Sequence, residues 1–404
     1  MKSSRKPSKA QFKRRVLTRG VDKVVVPKHL ERVLGGNKKL RIKLGIDPTS
    51  PDLHLGHAVV LRKLRDFQML GHKAVFIIGD FTAKVGDPSG QSKERPILTD
   101  KEIKGNMRDY LAQAGKIIDI KKAEIRYNSE WLDGNVKEIL GLAKAATINQ
   151  VSERADFQTR ISSGQKVTLL EAFYSLLQGL DSVKVKADVE LGGTDQLLNL
   201  LMGRQVQRHY GLKEQDVLTV PLIEGMDGKE KMSKSKGNYI GLNESPKEMF
   251  GKIMALPDKL IFKYFELCTD LSEEELKEIK TALSKKGTNP MDYKLHLAKE
   301  VVFLYHGKNA ATQAEKEFIN VFRKGETPTK VATKALPKRA YGIIDLLVAT
   351  NMATSKGEAR RLINQGGVKI DEVRVSSVND KVTLSSQAKL LQVGKHRFLK
   401  VKTK

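Results

Sequence analysis

Between about residues 40 and 220, short apolar runs alternate with stretches whose apolar positions recur at helical spacing. Arg41 to Asp47 (RIKLGID) predicts a buried strand, Leu55 to Leu70 a helix ended by Gly71, and Ala74 to Asp80 (AVFIIGD) the next strand. Thr99, followed three residues on by Glu102, forms a capping box that opens a helix, and Gly115 closes it. Strand-then-helix repetition of this kind predicts an α/β fold, a doubly wound parallel sheet covered on both faces. Ligands of such sheets sit at the carboxyl ends of the strands, so functional residues should follow strands. From about 246 to 325 the pattern turns to charged helical segments, such as SEEELKEIKTAL from Ser272. Residues 326 to 340 show no periodicity, contain Pro328 and Pro337, and predict a linker. The remainder, 341 to 404, reads as a small α+β module. No internal repeat is found.

Charge changes this picture most. The chain of 404 residues has a formal net charge of +26, which points to a polyanionic partner, nucleic acid before an anionic membrane. No apolar run approaches the ~18 residues a spanning helix needs, so no membrane partner is expected. The first 27 residues hold nine basic side chains and one acid, Asp22. Residues 1 to 39 are therefore expected to form a basic extension that lies against RNA or stays solvated. An organelle transit peptide shares the acid-poor composition, but no amphipathic apolar face accompanies it here. The single cysteine, Cys268, excludes an intrachain disulfide and a cysteine-based zinc site, fits a reducing cytoplasmic compartment, and reads as a packed small hydrophobe.

Two constellations carry candidate chemistry. Asp47-Pro48-Thr49 leads from a strand into His54-Leu55-Gly56-His57. Two histidines three apart share one face of a first helical turn, where free backbone N–H groups and the helix dipole favour anions. Gly56 would leave room for a flat ring against the backbone. By itself this motif is equally compatible with two surface histidines on an amphipathic helix. Lys231-Met232-Ser233-Lys234-Ser235-Lys236-Gly237-Asn238 would make a mobile, strongly positive loop able to close over a triphosphate, or else a solvated charge run. A third feature is the polar stripe of Tyr174, Gln178 and Asp181 on an apolar helix opened by the Thr168/Glu171 capping box. Spacings of four and seven put all three on one face, and buried polar groups there need partners.

HLGH and KMSKS resemble the two signature motifs of the class I aminoacyl-tRNA synthetases, and most of residues 40 to 260 resembles the tyrosyl branch. The resemblance implies a Rossmann-like catalytic domain over 40 to 245 with a dimerisation insertion, and an α-helical tRNA-binding domain over 246 to 325. It implies that L-tyrosine is activated by ATP, accompanied by Mg²⁺, with no protein-bound metal, and then passed to tRNA(Tyr). It also implies a homodimer. Thr49, His54, His57, Lys231, Lys234 and Arg95 would be catalytic; Gln91 stands where the better-known branch often has a basic residue. Asp47, Gly56, Gly193, Asp195, Met232, Ser233 and Ser235 would complete the ATP site. Tyr174, Gln178 and Asp87 would meet the substrate ammonium, Gln196 its carboxylate, and Asp181 its phenol hydroxyl. Lys43 occupies the strand position where the better-known branch has a second tyrosine. A second bacterial branch carries such a lysine together with Phe81-Thr82.

From Tyr341, Ser355 and Glu358 cap a helix bearing Lys356, Arg360 and Arg361, which ends at Gly366-Gly367 before Val368-Lys369-Ile370. This resembles the S-four-type RNA-binding domain, and residues 327 to 404 hold 16 basic and 5 acidic side chains. Lys356, Arg360, Arg361 and Lys369 would contact an RNA backbone; a structural module with a solvated basic face is the alternative. For the whole chain, the alternatives are the tryptophanyl relative and a non-catalytic RNA-binding descendant of a synthetase. The polar stripe argues against the first and the intact motifs against the second.

Overall fold

A parallel sheet needs apolar strands and helices long enough to cross back over it, and both are present. The computed structural model describes residues 9–89, 98–322, 331–394 and 397–404. By internal contacts the chain divides into two units. The first runs to Ser245 and resumes over Lys252–Tyr305; the second comprises Pro246–Gly251 and His306–Lys404.

The first unit is built on six strands: β1 (Lys23–Val24), β2 (Arg41–Ile46), β3 (Lys73–Ile78), β4 (Glu124–Tyr127), β5 (Val189–Gly193) and β6 (Asp216–Val220). They lie in the order β1-β6-β5-β2-β3-β4. All neighbours are parallel except β1, which runs antiparallel along the β6 edge. Sequence order reverses between β2 and β5, the topological switch point at which a doubly wound sheet opens a crevice. Val75 and Ile77 face the helices Leu169–Lys184 and Leu197–His209, packing with Leu176, Leu177, Leu180 and Val206. The helix Leu55–Met69 contacts β2, β3 and β5 and buries Leu61, Leu64 and Phe67 completely. Each such side chain contributes roughly 1.5–3 kcal/mol.

Residues 1–8 of the expected basic extension lie outside the described residues; from Lys9 on, it differs from expectation. Residues from Lys9 form a helix (Lys9–Thr18), then β1, then a second helix (Pro27–Gly35). Val16 is fully buried. Arg19 donates to the carbonyls of Glu266, Thr269 and Leu271. Lys63 donates at 2.8 Å to the carbonyls of Val16 and Arg19, at the negative end of the first helix; burial lowers its pKa to about 8. One basic side chain of this segment, Arg19, is thus spent on carbonyls inside the fold, and the segment's own carbonyls take a lysine from a later helix. Charge counting cannot distinguish that use from solvation. The helix opened by Thr99 also differs: its capping box forms, but it breaks at Arg108 into Asp100–Met107 and Tyr110–Ala114. Cys268 is buried, with its thiol pKa pushed up to about 12 by burial.

In the second unit, the long helical stretch Pro290–Phe322, which begins in the first unit, is interrupted at Gly307, whose φ of +83° no L side chain adopts readily. Of the expected linker, 326–330 lie outside the described residues, and the rest is partly strand. Thr333–Leu336 pairs in parallel with Arg397–Thr403, and Ala340–Gly342 pairs with Lys381–Thr383, both strands too short to leave a periodic signature. A core of Ile343, Leu346, Leu347, Val368, Leu391 and Val401 holds this module together. Lys356, Arg360, Arg361 and Lys369 are exposed on it. Among the described residues no helix is long and apolar enough to cross a membrane.

Arg19→Ala is expected to lower folding stability by about 2 kcal/mol, since three carbonyls lose a charged donor. A urea midpoint equal to that of the parent would contradict the docked placement of the amino-terminal helix.

Candidate active site

A cavity of about 680 Å³ opens at the carboxyl ends of β2 and β5, where the topology places it. Three local structures line it: the entrance of the helix Leu55–Met69, the loop Lys231–Ser235, and the polar face of the helix Leu169–Lys184.

The helix entrance satisfies its own amides. Gly56 N–H donates to His54 Nδ1 at 3.1 Å, and His54 N–H to His57 Nδ1 at 3.2 Å. Leu55 N–H donates to the Ile240 carbonyl at 2.9 Å. The expectation of free amides facing an anion is therefore corrected: two imidazoles stand in their place. A nitrogen that accepts from a backbone N–H carries no proton, so each neutral ring must hold its proton on Nε2. Burial, assisted by the mutual proximity of the rings and by Lys234 and Lys231, pushes His54 far below its ordinary range. Burial and the same lysines push His57 down to about 4. Both rings are neutral Nε2 donors. Gly56 is required for a reason internal to the motif: a Cβ there would lie 2.9 Å from the His54 ring. The flat ring it accommodates in this structure is that of His54.

The lysine loop is drawn to this entrance by backbone pairing. His54 forms an isolated bridge with Gly241, and Leu242 N–H donates to the Leu53 carbonyl. Within the loop, Met232 N–H donates to the Ile223 carbonyl, and Ser233 N–H to Asn238 Oδ1. Gly237 turns at φ +64°. Lys231 donates to Asp195 Oδ2 at 2.6 Å. Lys234 Nζ lies 3.5 Å from Asp52, and burial lowers its pKa. Two cations thus stand beside two neutral imidazole donors.

The opposite end of the cavity is a hydrogen-bonded chain. Tyr174 donates its hydroxyl to Asp47 Oδ2 at 2.9 Å, and Thr82 donates to Asp47 Oδ1 at 2.7 Å. Asn128 donates to Thr82 at 2.9 Å and to Asp181 at 3.4 Å. Trp131 Nε1 donates to Asp181 at 2.9 Å. Gly79 is required here, because a Cβ would fall 2.0 Å from Asp47. Burial raises the Asp181 carboxyl to about 6, against the attraction of Lys43 and the two donors. Above that pH it is a carboxylate able only to accept. Asp87 accepts from Gln196 at 2.7 Å and from Ser89 N–H at 2.9 Å. Behind it Arg154 braces Ser89 and Asn199.

Of the residues singled out from sequence, the cavity is lined by Asp47, Thr49, His54, Gly56, His57, Asp87, Tyr174, Gln178, Asp181, Gly193, Asp195, Gln196, Lys231, Met232, Ser233, Lys234 and Ser235. Lys43 does not line it. Its ammonium is fully buried against Glu190 at 2.7 Å, so the substrate contact expected of it is not made by this arrangement. Arg95 and Gln91 lie outside the described residues. Thr82, Asn128, Trp131 and Glu190 were missed. Asn128 and Trp131 follow β4, a strand too short and half-buried to read in advance; its position at a strand end was the available signal. Among the described residues no group of three His, Cys, Asp or Glu side chains is placed to hold a metal ion.

Comparison with known proteins gives a consistent result. The family described as tRNA synthetases class I (W and Y) matches residues 36–323. The tyrosine–tRNA ligase SYY-like C-terminal domain matches residues 323–400. The tyrosine–tRNA ligase of Thermotoga maritima is 46% identical over 388 residues, covering 96% of each chain. Tyrosine–tRNA ligase 2 of Clostridium acetobutylicum is 45% identical over 392 residues, covering 96% of this chain and 97% of its own. Among solved structures, a C-terminally truncated mitochondrial tyrosyl-tRNA synthetase from Aspergillus nidulans aligns with a TM-score of 0.65 at 23% identity, covering 77% of this chain and 94% of that one. A tyrosyl-tRNA synthetase from Archaeoglobus fulgidus, complexed with L-tyrosine, aligns at 0.60 and 23%, covering 75% and 98%. At that identity the structural likeness is one of fold.

Selective ¹⁵N labelling should find His54 and His57 protonated on Nε2 and free of titration between pH 6 and 8, given the value of about 4 for His57 and a lower one for His54. A midpoint near the ordinary histidine value of about 6.5 would contradict the cap.

Proposed function

The chain belongs to the tyrosine–tRNA ligases among the class I tRNA synthetases, and from that premise we propose how its residues divide the work. The reaction joins tyrosine to tRNA at the expense of ATP. Its first step is attack by the tyrosine carboxylate on the ATP α-phosphorus, with departure of pyrophosphate; its second is attack by a ribose hydroxyl of the tRNA terminus on the adenylate, releasing AMP. A carboxylate is already nucleophilic at neutral pH, so the protein's task is alignment and stabilisation of charge as the phosphorus becomes five-coordinate.

His54 and His57, with Thr49, act as neutral donors to the phosphate oxygens. Lys231 and Lys234 take the charge developing on pyrophosphate; Mg²⁺ enters with ATP as part of the substrate. Asp47, Gly193 and Asp195 serve the adenosine side. Tyr174, which donates to Asp47, accepts from the substrate ammonium beside Asp87 and Gln178. Gln196, held by Asp87, faces the carboxylate. Asp181 accepts from the phenol hydroxyl. The observation that carries this reading is one cavity bringing both histidines, both lysines and the polar helix face together.

Two partner assignments accompany it. The exposed cations Lys356, Arg360, Arg361 and Lys369 suit an RNA backbone, consistent with an S-four-type module for the carboxyl-terminal domain. A homodimer accompanies the family reading; exposed apolar side chains on the helices between 136 and 198, Leu140 at 65%, Ile148 at 80%, Leu169 at 78% and Leu198 at 48%, are candidates for its interface. A reducing cytoplasmic setting suits a chain whose one cysteine is buried.

Pyrophosphate exchange measured with each amino acid in turn should respond to tyrosine and not to tryptophan; the reverse order would overturn the assignment. Tyrosine kcat/KM should fall as pH drops through about 6, the Asp181 value, because the protonated acid no longer accepts as a carboxylate. Asp181→Asn should erode the preference for tyrosine over phenylalanine by roughly 100-fold or more, a fraction of the 10⁴–10⁵ that a hydroxyl-reading site can reach, an example taken from this enzyme class. An unchanged ratio would remove Asp181 from that role.

A further inference from the structure

Beneath the tyrosine end of the cavity lies a buried charge pair that no step above uses. Lys43 on β2 and Glu190 on β5 are opposite each other in adjacent strands, 0% and 1% exposed, with Nζ 2.7 Å from Oε1. Two apolar side chains of similar volume would hold these strands at least as well, so stability alone is a weak reason for the pair.

Among the described residues, all but one of its other side-chain hydrogen bonds go to the helix Leu169–Lys184; the exception is Gln215, just before β6. Lys43 Nζ donates to the Gln178 carbonyl and to Ser182 Oγ, each at 2.8 Å. Glu190 accepts from Gln178 Nε2 at 3.1 Å, from Ser182 at 3.1 Å, and from Gln215. A carboxylate only accepts, so the amide of Gln178 must offer it the NH₂ and turn its Oε1 away, toward the cavity that Gln178 lines. Three residues further along the helix, Asp181 is attracted by Lys43 and, less strongly, repelled by Glu190. Among the described residues, the side chains that donate to Asp181 are Trp131 and Asn128, from the segment after β4, and neither is charged.

We propose that Glu190 and Lys43 are positioning residues for tyrosine: Glu190 orients the Gln178 amide so that its oxygen meets the substrate ammonium, and Lys43 keeps Asp181 a carboxylate that receives the phenol hydroxyl. Neither touches the substrate. The proposal rests on the reading of this cavity as a tyrosine site.

The two partners act on Asp181 with opposite signs, which makes the test directional. In the full-length chain, the acid limb of tyrosine kcat/KM is followed by pyrophosphate exchange. Lys43→Met should move that limb up by roughly one pH unit, and Glu190→Gln should move it down by a smaller amount. Glu190→Gln should also raise KM for tyrosine about tenfold, the size of one lost hydrogen bond, while KM for ATP stays within about twofold. Limbs that stay in place, or that shift in the same direction, overturn the proposal. Where a single variant leaves too costly an orphan charge to fold, the double variant Lys43→Met/Glu190→Gln removes both charges. Its limb should move up, because the Lys43 influence is the larger, and an unmoved limb overturns the proposal equally. A parent chain that exchanges pyrophosphate only with another amino acid defeats the tyrosine reading, and this proposal with it. An active parent with unmoved variants defeats the positioning role alone.

Discussion

The start of an α-helix leaves several amide protons without intrahelical partners, and in this chain two imidazoles and a distant backbone segment take them. That constraint organises the site. His54 and His57 cap the helix through Nδ1, so their protons are forced onto Nε2. Leu55 and Leu53 pair with Ile240 and Leu242, so the lysine loop that immediately precedes Ile240 is brought to the same entrance. Two motifs far apart in sequence become one electrostatic surface because a helix terminus had to be satisfied.

Burial then decides how each group behaves. In a site shielded from water, neutral imidazole donors need no counter-ion, whereas two imidazolium ions beside Lys231 and Lys234 would repel. At the opposite end, Asp47, Thr82, Asn128 and Asp181 are linked in one chain of hydrogen bonds. A displacement at Asp47 is therefore felt at Asp181. The same chain connects Tyr174, so the groups assigned to the substrate ammonium and to its hydroxyl are aligned by shared partners rather than separately.

Sequence reading recovered the parts governed by strong local signals. The central strand β3 is a nearly continuous buried apolar run, β2 has a buried middle around Ile42 and Leu44, and the bounds of both fell within two residues of expectation. Capping boxes at Thr99 and Thr168 formed as read. Edge strands escaped: β1 has two residues and β4 four, half-buried, too short for periodicity to speak. The amino-terminal segment misled because composition records charge but not its partner: Arg19 is spent on three carbonyls of the fold, and Lys63, from a later helix, donates to carbonyls of the segment itself. Lys43 misled for a related reason. Its position in the strand is legible, but its counter-ion Glu190 lies on a strand nearly 150 residues later, and only the sheet order makes them neighbours.

The most direct test of the account is a crystal structure with a non-hydrolysable tyrosyl-adenylate analogue bound. The account predicts the phenol oxygen within hydrogen-bond distance of the Asp181 carboxylate and the phosphate-mimicking oxygens facing Nε2 of His54 and His57. An analogue bound with its aromatic ring at the histidine end, or outside the cavity between β2 and β5, would contradict it.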